Sequence, residues 1–497
     1  MKSIFLAFLF SITLITSDAQ EPVYTWSAAN TKPAMNVDVQ IMGYTPEGYF
    51  VVSKKPASGM EFSPTITVEY FNDKQERAFV KNVTPTKQED YVNILYYNKA
   101  LCLFSALYSK ESGKNSLTAT RINTDGTLGK PVEMGSLPAE KLSDRGLFNV
   151  SVSPDGSKAL VLSQPDYVKG ENEKITISLF GDQFTKIWSV EKTYPYGWTK
   201  AVENRPAVNN QGTVFILKKT DMKSDGNTYS IFSYDGKELK EFKIAMDGNK
   251  KVASIVQAFA PNGDFTVGGY YNEDGKVRAG MGTALHGTFI SRIDQSGSAA
   301  KFTVITPFEK RKDIIAKSIL FHDNTCIMLG ERYYISSQAP KTDPSKPPGT
   351  TDMFARDYTY YGEDIIIDGF DAAGKSLYYT SVEKENRSNN DNGTSVSYFA
   401  DIIKGKLVLI FMNDKDDFDE KKKVVVFGGT PKVIAHVGVD PVTGKADAMK
   451  PILNTGNVGG KGGDMYLRPD VYLRTGETSY IIRAENTSIY RMGKLSF

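Results

Sequence analysis

Histidine and cysteine are scarce in this chain, and their scarcity removes several familiar chemistries. Only three histidines, His286, His322 and His436, occur in 497 residues. His322 falls at a tight turn and His436 in an apolar run, so no set of imidazoles gathers, and a lone histidine is more often structural than catalytic. The sequence holds no G-x-S-x-G elbow, no H-E-x-x-H helix and no paired-cysteine motif, the local signatures of serine, zinc and thiol chemistry. Cys102 and Cys326 each sit inside an apolar strand-like run, where a thiol packs as a small hydrophobe. Packing, not a disulfide, is therefore expected to hold the fold. An excess of charge of one sign is also missing. The 60 lysines and arginines face 58 aspartates and glutamates, net +2, which argues against nucleic acid or an anionic membrane as the main partner. Long amphipathic helical periodicity is absent, so nothing competes with an all-β reading.

The N-terminus carries a strong local signal. Lys2 precedes an uncharged apolar stretch over residues 4–16, and Ser17-Asp18-Ala19 offers small residues at the cleavage positions. This pattern predicts a signal peptide over residues 1–19 and a mature chain beginning at Gln20. The apolar stretch is shorter than the ~20 residues needed to cross a bilayer, and no later run is apolar enough to be a membrane helix. No cysteine lies near the cleavage site for a lipid anchor. The expectation is an extracytoplasmic protein, periplasmic or secreted, with no membrane span after cleavage.

What the chain has in abundance is one hairpin, repeated. Residues 148–163 read FNVSVSPDGSKALVLS: two apolar, β-branched runs flank Ser153-Pro154-Asp155-Gly156. Proline presets the first corner of a turn, and glycine tolerates the positive φ that closes it. Related turns fall at Glu47-Gly48, Asn98-Lys99, Asp155-Gly156, Gln211-Gly212, Asn262-Gly263, Asp323-Asn324, Lys404-Gly405 and Thr475-Gly476, eight in all. A second turn follows the first by 24 to 27 residues in the first four units. Four strands per unit at this period point to a β-propeller. The eighth unit has only three strand-like runs before the chain ends, while a spare strand at residues 23–27 precedes the first unit. A missing strand at one end and a spare one at the other predict a closed ring without exposed edges. Residues 20–497 are thus expected to form one all-β domain, an eight-bladed β-propeller, with seven blades as the alternative.

The SPDG hairpin and the DGK-type turns resemble the repeats of TolB-type and WD-like bacterial propellers. The resemblance spans nearly the whole mature chain, at the level of fold. The Gly-His and Trp-Asp signatures of WD repeats are absent. Residues 440–445, DPVTGK, are similar to the turn of quinoprotein repeats but lack their docking tryptophan, so quinone binding is not implied. Such propellers serve as scaffolds, sensors and enzymes; the resemblance implies a shape and not a reaction.

Binding residues gather on loops held by rigid scaffolds. Here the first-to-second and third-to-fourth turns are tight, whereas the second-to-third loops on the opposite face are long, above all in units five to seven. Unit five contributes Arg278 and His286 in a glycine-rich loop. Unit six carries an insertion over residues 332–363, proline-rich and then aromatic, with Tyr333, Tyr334, Arg356, Tyr358, Tyr360 and Tyr361. Unit seven contributes NDKDDFDEKKK at residues 413–423. Its aspartates would suit calcium, but the spacing departs from the EF-hand pattern and the central glycine is missing, so a solvated charged loop is expected and no metal or other cofactor. GNVGGKGG at residues 456–463 lacks the strand-to-helix context of a phosphate cradle. Polar residues on inner strands, among them Asn93, Asn149, Gln257, Lys317, Asp401 and Arg468, are expected to line the central channel. The composite expectation is an exported scaffold that binds a protein, peptide or glycan through the loops of units five to seven. The alternative is an extracytoplasmic propeller enzyme, a hydrolase or lyase on polysaccharide or peptide, whose carboxylates would converge from several units and leave no local motif.

Overall fold

The SPDG turn folds as its residues dictate. In a computed structural model of the chain, Gly156 takes φ +69° and its N–H donates to the Ser153 carbonyl at 2.8 Å. The Asp155 carboxylate accepts from the Ser157 N–H and from the hydroxyls of Ser153 and Ser157. The flanking strands, Leu147–Val152 and Ala159–Gln164, pair in register from Leu147 opposite Gln164 to Val152 opposite Ala159. Asn172–Phe180 and Lys186–Gly197 complete the sheet in chain order.

The structure describes residues 22–497 except 33–37, 56–63, 84, 86–87, 198–202, 221–227, 275–281, 339–356, 390, 392, 415–417, 419–431, 455–457 and 459–463. Eight antiparallel sheets, each built on four strands, follow one another along the chain. The second strands are almost wholly buried, as in Ala159–Gln164, Tyr229–Tyr234 being the matching third strand one blade on. The fourth strands alternate buried with exposed positions, as in Lys186–Gly197. That gradient is the sequence pattern of a blade: continuous apolar runs in the middle and period-two alternation at the rim.

Eight separate apolar clusters join neighbouring blades, and one of them links blade eight to blade one through Val471, Ile481 and Met492 against Val39, Val51 and Phe71. Eight sheets with eight shared cores close a ring, and this excludes the seven-bladed alternative.

The spare N-terminal strand does what ring closure requires. Val23–Trp26 pairs antiparallel with Ile489–Ser496, Val23 opposite Ser496, and becomes the outer strand of blade eight. Asn30–Thr31 pairs further along the same strand. Between them, the Ser27 N–H donates to Met492 O, and Ser27 Oγ accepts from the Met492 N–H. The first described strand and the last strand therefore share one sheet. Cys102 and Cys326 are free and buried, and burial pushes both thiols up to about 12. Among the described residues no helix is long and apolar enough to cross a membrane.

Candidate functional site

Blade six departs from the repeat by lengthening its middle hairpin. Its second and third strands, Thr325–Gln338 and Asp357–Phe370, run 14 residues each, against 6 for the second strand of blade three. The insertion expected as a loop over 332–363 is, in its described part, a continuation of these strands. Tyr334 pairs with Tyr361, Ile335 with Tyr360 and Ser337 with Tyr358. A further strand, Asn386–Asn389, pairs along the outside of Asp357–Phe370, with Arg387 opposite Tyr361. The result is a three-stranded ribbon that stands beyond the ring on the face of the second-to-third loops. β-Branched and aromatic residues favour this outcome over a coil, because they pack across strands.

Side chains alternate between the two faces of the ribbon. On one face Tyr334 and Tyr361 stack with ring centroids 4.5 Å apart and planes 11° from parallel. The Tyr334 hydroxyl donates to Glu363 Oε1 at 2.6 Å; burial and that acceptor push it up to about 12. Glu363 also pairs with Arg332 at 3.0 Å. On the other face lie Tyr333, Ile335, Tyr358 and Tyr360. Tyr360 is buried, whereas Ile335 and Tyr358 are both 40% exposed. The turn carrying Asp391 and Gly393 closes over this face. Gly393 sits at φ +71°, and a Cβ there would meet the Tyr333 hydroxyl at 2.8 Å, so only glycine allows the approach. Asp391 holds the turn by accepting from the Ser388 and Ser395 hydroxyls and the Gly393 N–H.

Beneath the ribbon is a buried charge cluster. The Glu331 carboxylate meets Lys384 Nζ at 2.7 Å and Lys317 Nζ at 3.0 Å, with the Glu331 and Lys384 side chains fully buried. Burial, offset by Glu331, draws the Lys384 ammonium below the usual lysine range. Lys384 also donates to the Val396 carbonyl, and Lys317 lies over the Tyr333 ring, 5.4 Å from its centroid. The ribbon is thus fixed at its root by ionic and aromatic contacts together.

This cluster belongs to a pattern around the ring. Each blade buries a polar residue in the middle or at the far end of its second strand: Ser53, Ser105, Gln164, Lys218, Asn272, Glu331, Asn413 and Arg483. In blades three and four, Lys218 Nζ sits 2.5 Å from Glu173 Oε2, and the Gln164 and Asn204 amides donate to the other carboxylate oxygen. The sequence reading passed over these residues. The signal was a charged or amide residue ending an apolar run, as in TCIMLGE, VFILKK and SYIIRAE.

Of the residues expected to form the site, Tyr333, Tyr334, Tyr358, Tyr360 and Tyr361 share the ribbon, split between its faces. Arg278 and Arg356 lie outside the described residues, as do residues 339–356 of the 332–363 insertion, the aspartates at 416, 417 and 419 and most of the glycine-rich stretch. His286 is not in a loop but in the third strand of blade five, Ala284–Ile293. Its Nδ1 accepts from the Glu273 N–H at 3.1 Å, and its Nε2 lies 3.7 Å from Asp274. The strand forms there because Leu285 and Gly287 pair across to residues 311 and 307, with a bulge at His286 between them. Several inner-strand polar residues are tied to neighbours: Arg468 to Glu485 and Asp470, Lys317 to Glu331, and Asp401 to the Tyr480 hydroxyl. Among the described residues no three histidine, cysteine, aspartate or glutamate side chains stand together as metal ligands.

No family model matches the chain, and no curated protein sequence matches it. Among solved structures, the chain is similar to the WD40 domain of SCAP from fission yeast, at 9% identity and TM-score 0.37, over 96% of this chain and 98% of that one. It is similar to a europium-containing methanol dehydrogenase, at 9% identity and TM-score 0.42, over 94% of this chain and 85% of that one. A protein of unknown function from Bacteroides caccae is similar at 13% identity and TM-score 0.30, over 68% of this chain and 94% of that one. At such identities and scores these likenesses say nothing about activity. The propeller stands on its own strand pairing, as the resemblance to propeller repeats implied.

Proposed function

We propose that this chain is an exported β-propeller that binds a protein, peptide or glycan partner through the ribbon side of blades five to seven. The observation that carries the reading is the stacked Tyr334–Tyr361 pair on a ribbon rooted in the ring. Tyrosine presents rigid apolar area with a polar tip at little cost in side-chain entropy, which is why it recurs at recognition surfaces. Binding is favoured over catalysis because three of the carboxylates described around the ribbon are already engaged. Glu331 holds two lysines, Glu363 holds Arg332 and Tyr334, and Asp391 holds its own turn. The reading needs no cofactor.

The test replaces residues 335–359 with an Asn-Gly turn and compares capture of envelope proteins and glycans by the mature variant and by the parent. Loss of capture with an unchanged melting profile supports the reading; equal capture removes the ribbon as the site. Export is tested by fractionating cells that express the tagged full chain, and retention of the uncleaved chain in the cytoplasm overturns it.

A further inference from the structure

The ribbon has two edges, and one of them is bare. The first strand of blade six, Ile314–His322, pairs with the second only as far as Ile314 opposite Arg332. The last contact on that side is the Tyr333 N–H, which donates to Asp313 O at 2.7 Å. Because that N–H points away from the third strand, hydrogen-bond direction alternates from there. Tyr334 and Ser336 turn their main-chain groups inward to the hairpin, and Ile335 and Ser337 turn theirs outward. Among the described residues no strand pairs with this outward side. Since the strands of a blade run in order from the axis outward, the bare edge faces the axis, above the start of the inner strand.

Exposed strand edges are commonly blunted by lysine, proline or a bulge. The outer strands of blades one, three, four and five follow that rule with Lys81, Lys186, Lys240 and Lys301. The ribbon edge does not. Residues 333–338 read YYISSQ, with no charge and no proline, and the register is regular from Tyr333 onward. The uncharged outer strands of blades six and eight, Ser376–Val382 and Val23–Trp26, share this composition without projecting from the ring.

We infer that an extended polypeptide segment of basic character adds as a strand to the edge at Tyr333–Gln338. This rests on the ribbon being the binding element. An edge of alternating donors and acceptors at strand spacing is matched by another main chain, and a sugar does not offer that repeat. The sign of charge follows from the surroundings. Among the described residues and outside the Lys317–Glu331–Lys384 cluster, Asp313, Asp357, Glu363, Asp364 and Asp391 outnumber Lys312, Arg332 and Arg387 at and around the ribbon. Ile335 and Tyr358, both 40% exposed, give an incoming β-branched residue an apolar neighbour.

The experiment uses the full mature chain and three fluorescein-labelled probes read by anisotropy. They are Lys-Val-Thr-Val-Thr-Val-Lys with blocked ends, its counterpart with glutamate at both ends, and the lysine peptide N-methylated at alternate residues along one edge. The lysine peptide is expected to bind, and the glutamate and N-methyl peptides to bind about tenfold more weakly or worse. Ser337→Pro deletes an outward N–H where proline is tolerated on an edge strand, and should weaken the lysine peptide about tenfold; Ser337→Ala, which keeps the N–H, should not. Binding indifferent to N-methylation and to Ser337→Pro overturns strand addition, as does failure of all three probes to bind. The two proposals fail separately. If the ribbon-replaced variant still captures its partner, the ribbon is not the site. If ribbon replacement abolishes capture and Ser337→Pro leaves it intact, the site stands and strand pairing falls.

Discussion

Blades six and eight both bury a glutamate on the second strand and surround it with cations, yet the two clusters serve different ends. In blade eight, Glu485 meets Arg483 at 2.8 Å, Arg468 at 3.0 Å and Lys32 at 2.8 Å. Lys32 belongs to the N-terminal segment, so the cluster ties the two ends of the chain together. In blade six, Glu331 meets Lys317 and Lys384, both from its own blade, and the cluster roots a ribbon that closes nothing. The same device, a charge at the end of an apolar strand, is used once for closure and once to support a projection.

The largest expected effect separates those ends. Deleting residues 22–32 removes the outer strand of blade eight together with Lys32, and opens the ring. The loss is expected to reach about 5 kcal/mol or more, comparable with the whole stability of many domains. A circular-dichroism melt should then show no cooperative transition, and a variant that melts like the parent would show that closure is dispensable. Next comes Glu331→Leu, which leaves the buried Lys384 ammonium without its carboxylate and the partly exposed Lys317 without its partner, and should cost about 3–5 kcal/mol in urea unfolding. Glu331→Met combined with Lys384→Met should recover most of it. No recovery would mean that the ribbon needs the charges themselves.

A pH comparison sharpens the contrast, because blade six also buries a carboxylate that lacks a cation in contact. The Asp368 carboxyl, with the Tyr270 hydroxyl donating at 3.0 Å, is raised by burial to about 7. The folded state therefore holds that proton more tightly than the unfolded chain. Its favourable contribution is complete below about 3.8 and is lost as pH rises through 7. Asp368→Asn should raise stability by about 2–4 kcal/mol at pH 8 and by little at pH 4. Glu485 behaves oppositely. Burial would raise it, but Arg483, Arg468 and Lys32 outweigh burial and hold it at about 2. Its contribution is present above about 4.5 and lost as pH falls toward 2. Glu485→Gln should cost about 3 kcal/mol at pH 7 and flatten the acid limb. Parallel pH profiles for the two variants would break the distinction. The smallest effect on folding is expected at the ribbon surface: Tyr334→Ala should cost about 1 kcal/mol while partner capture falls about tenfold.

Much of the ring was legible in the chain. Turn chemistry such as Ser153-Pro154-Asp155-Gly156 is local, so its spacing counts blades before any contact is known. The spare strand at Val23–Trp26 announced closure because a spare strand at one end and a missing one at the other have one economical solution. Blade six was harder to read. A long stretch between two strands looks the same in sequence whether it is loop or ribbon, and only the pairing of Tyr334 with Tyr361 distinguishes them. His286 shows the converse. Beside several glycines it read as a loop residue, but the third strand of blade five begins two residues before it.

The sequence by itself narrowed the ring to eight blades or seven and marked the tight-turn face and the origin of the closing strand, since each follows from local turn geometry and a count; the eight sheets with eight shared cores decided the number. Only the tertiary structure decided which charges meet. Glu331, Lys317 and Lys384 are spread over 68 positions and meet because sheet pairing and the chain's return after the outer strand bring them to one end of a blade. The bare edge at Tyr333–Gln338 was equally invisible to a count, because an edge is defined by the neighbour a strand lacks.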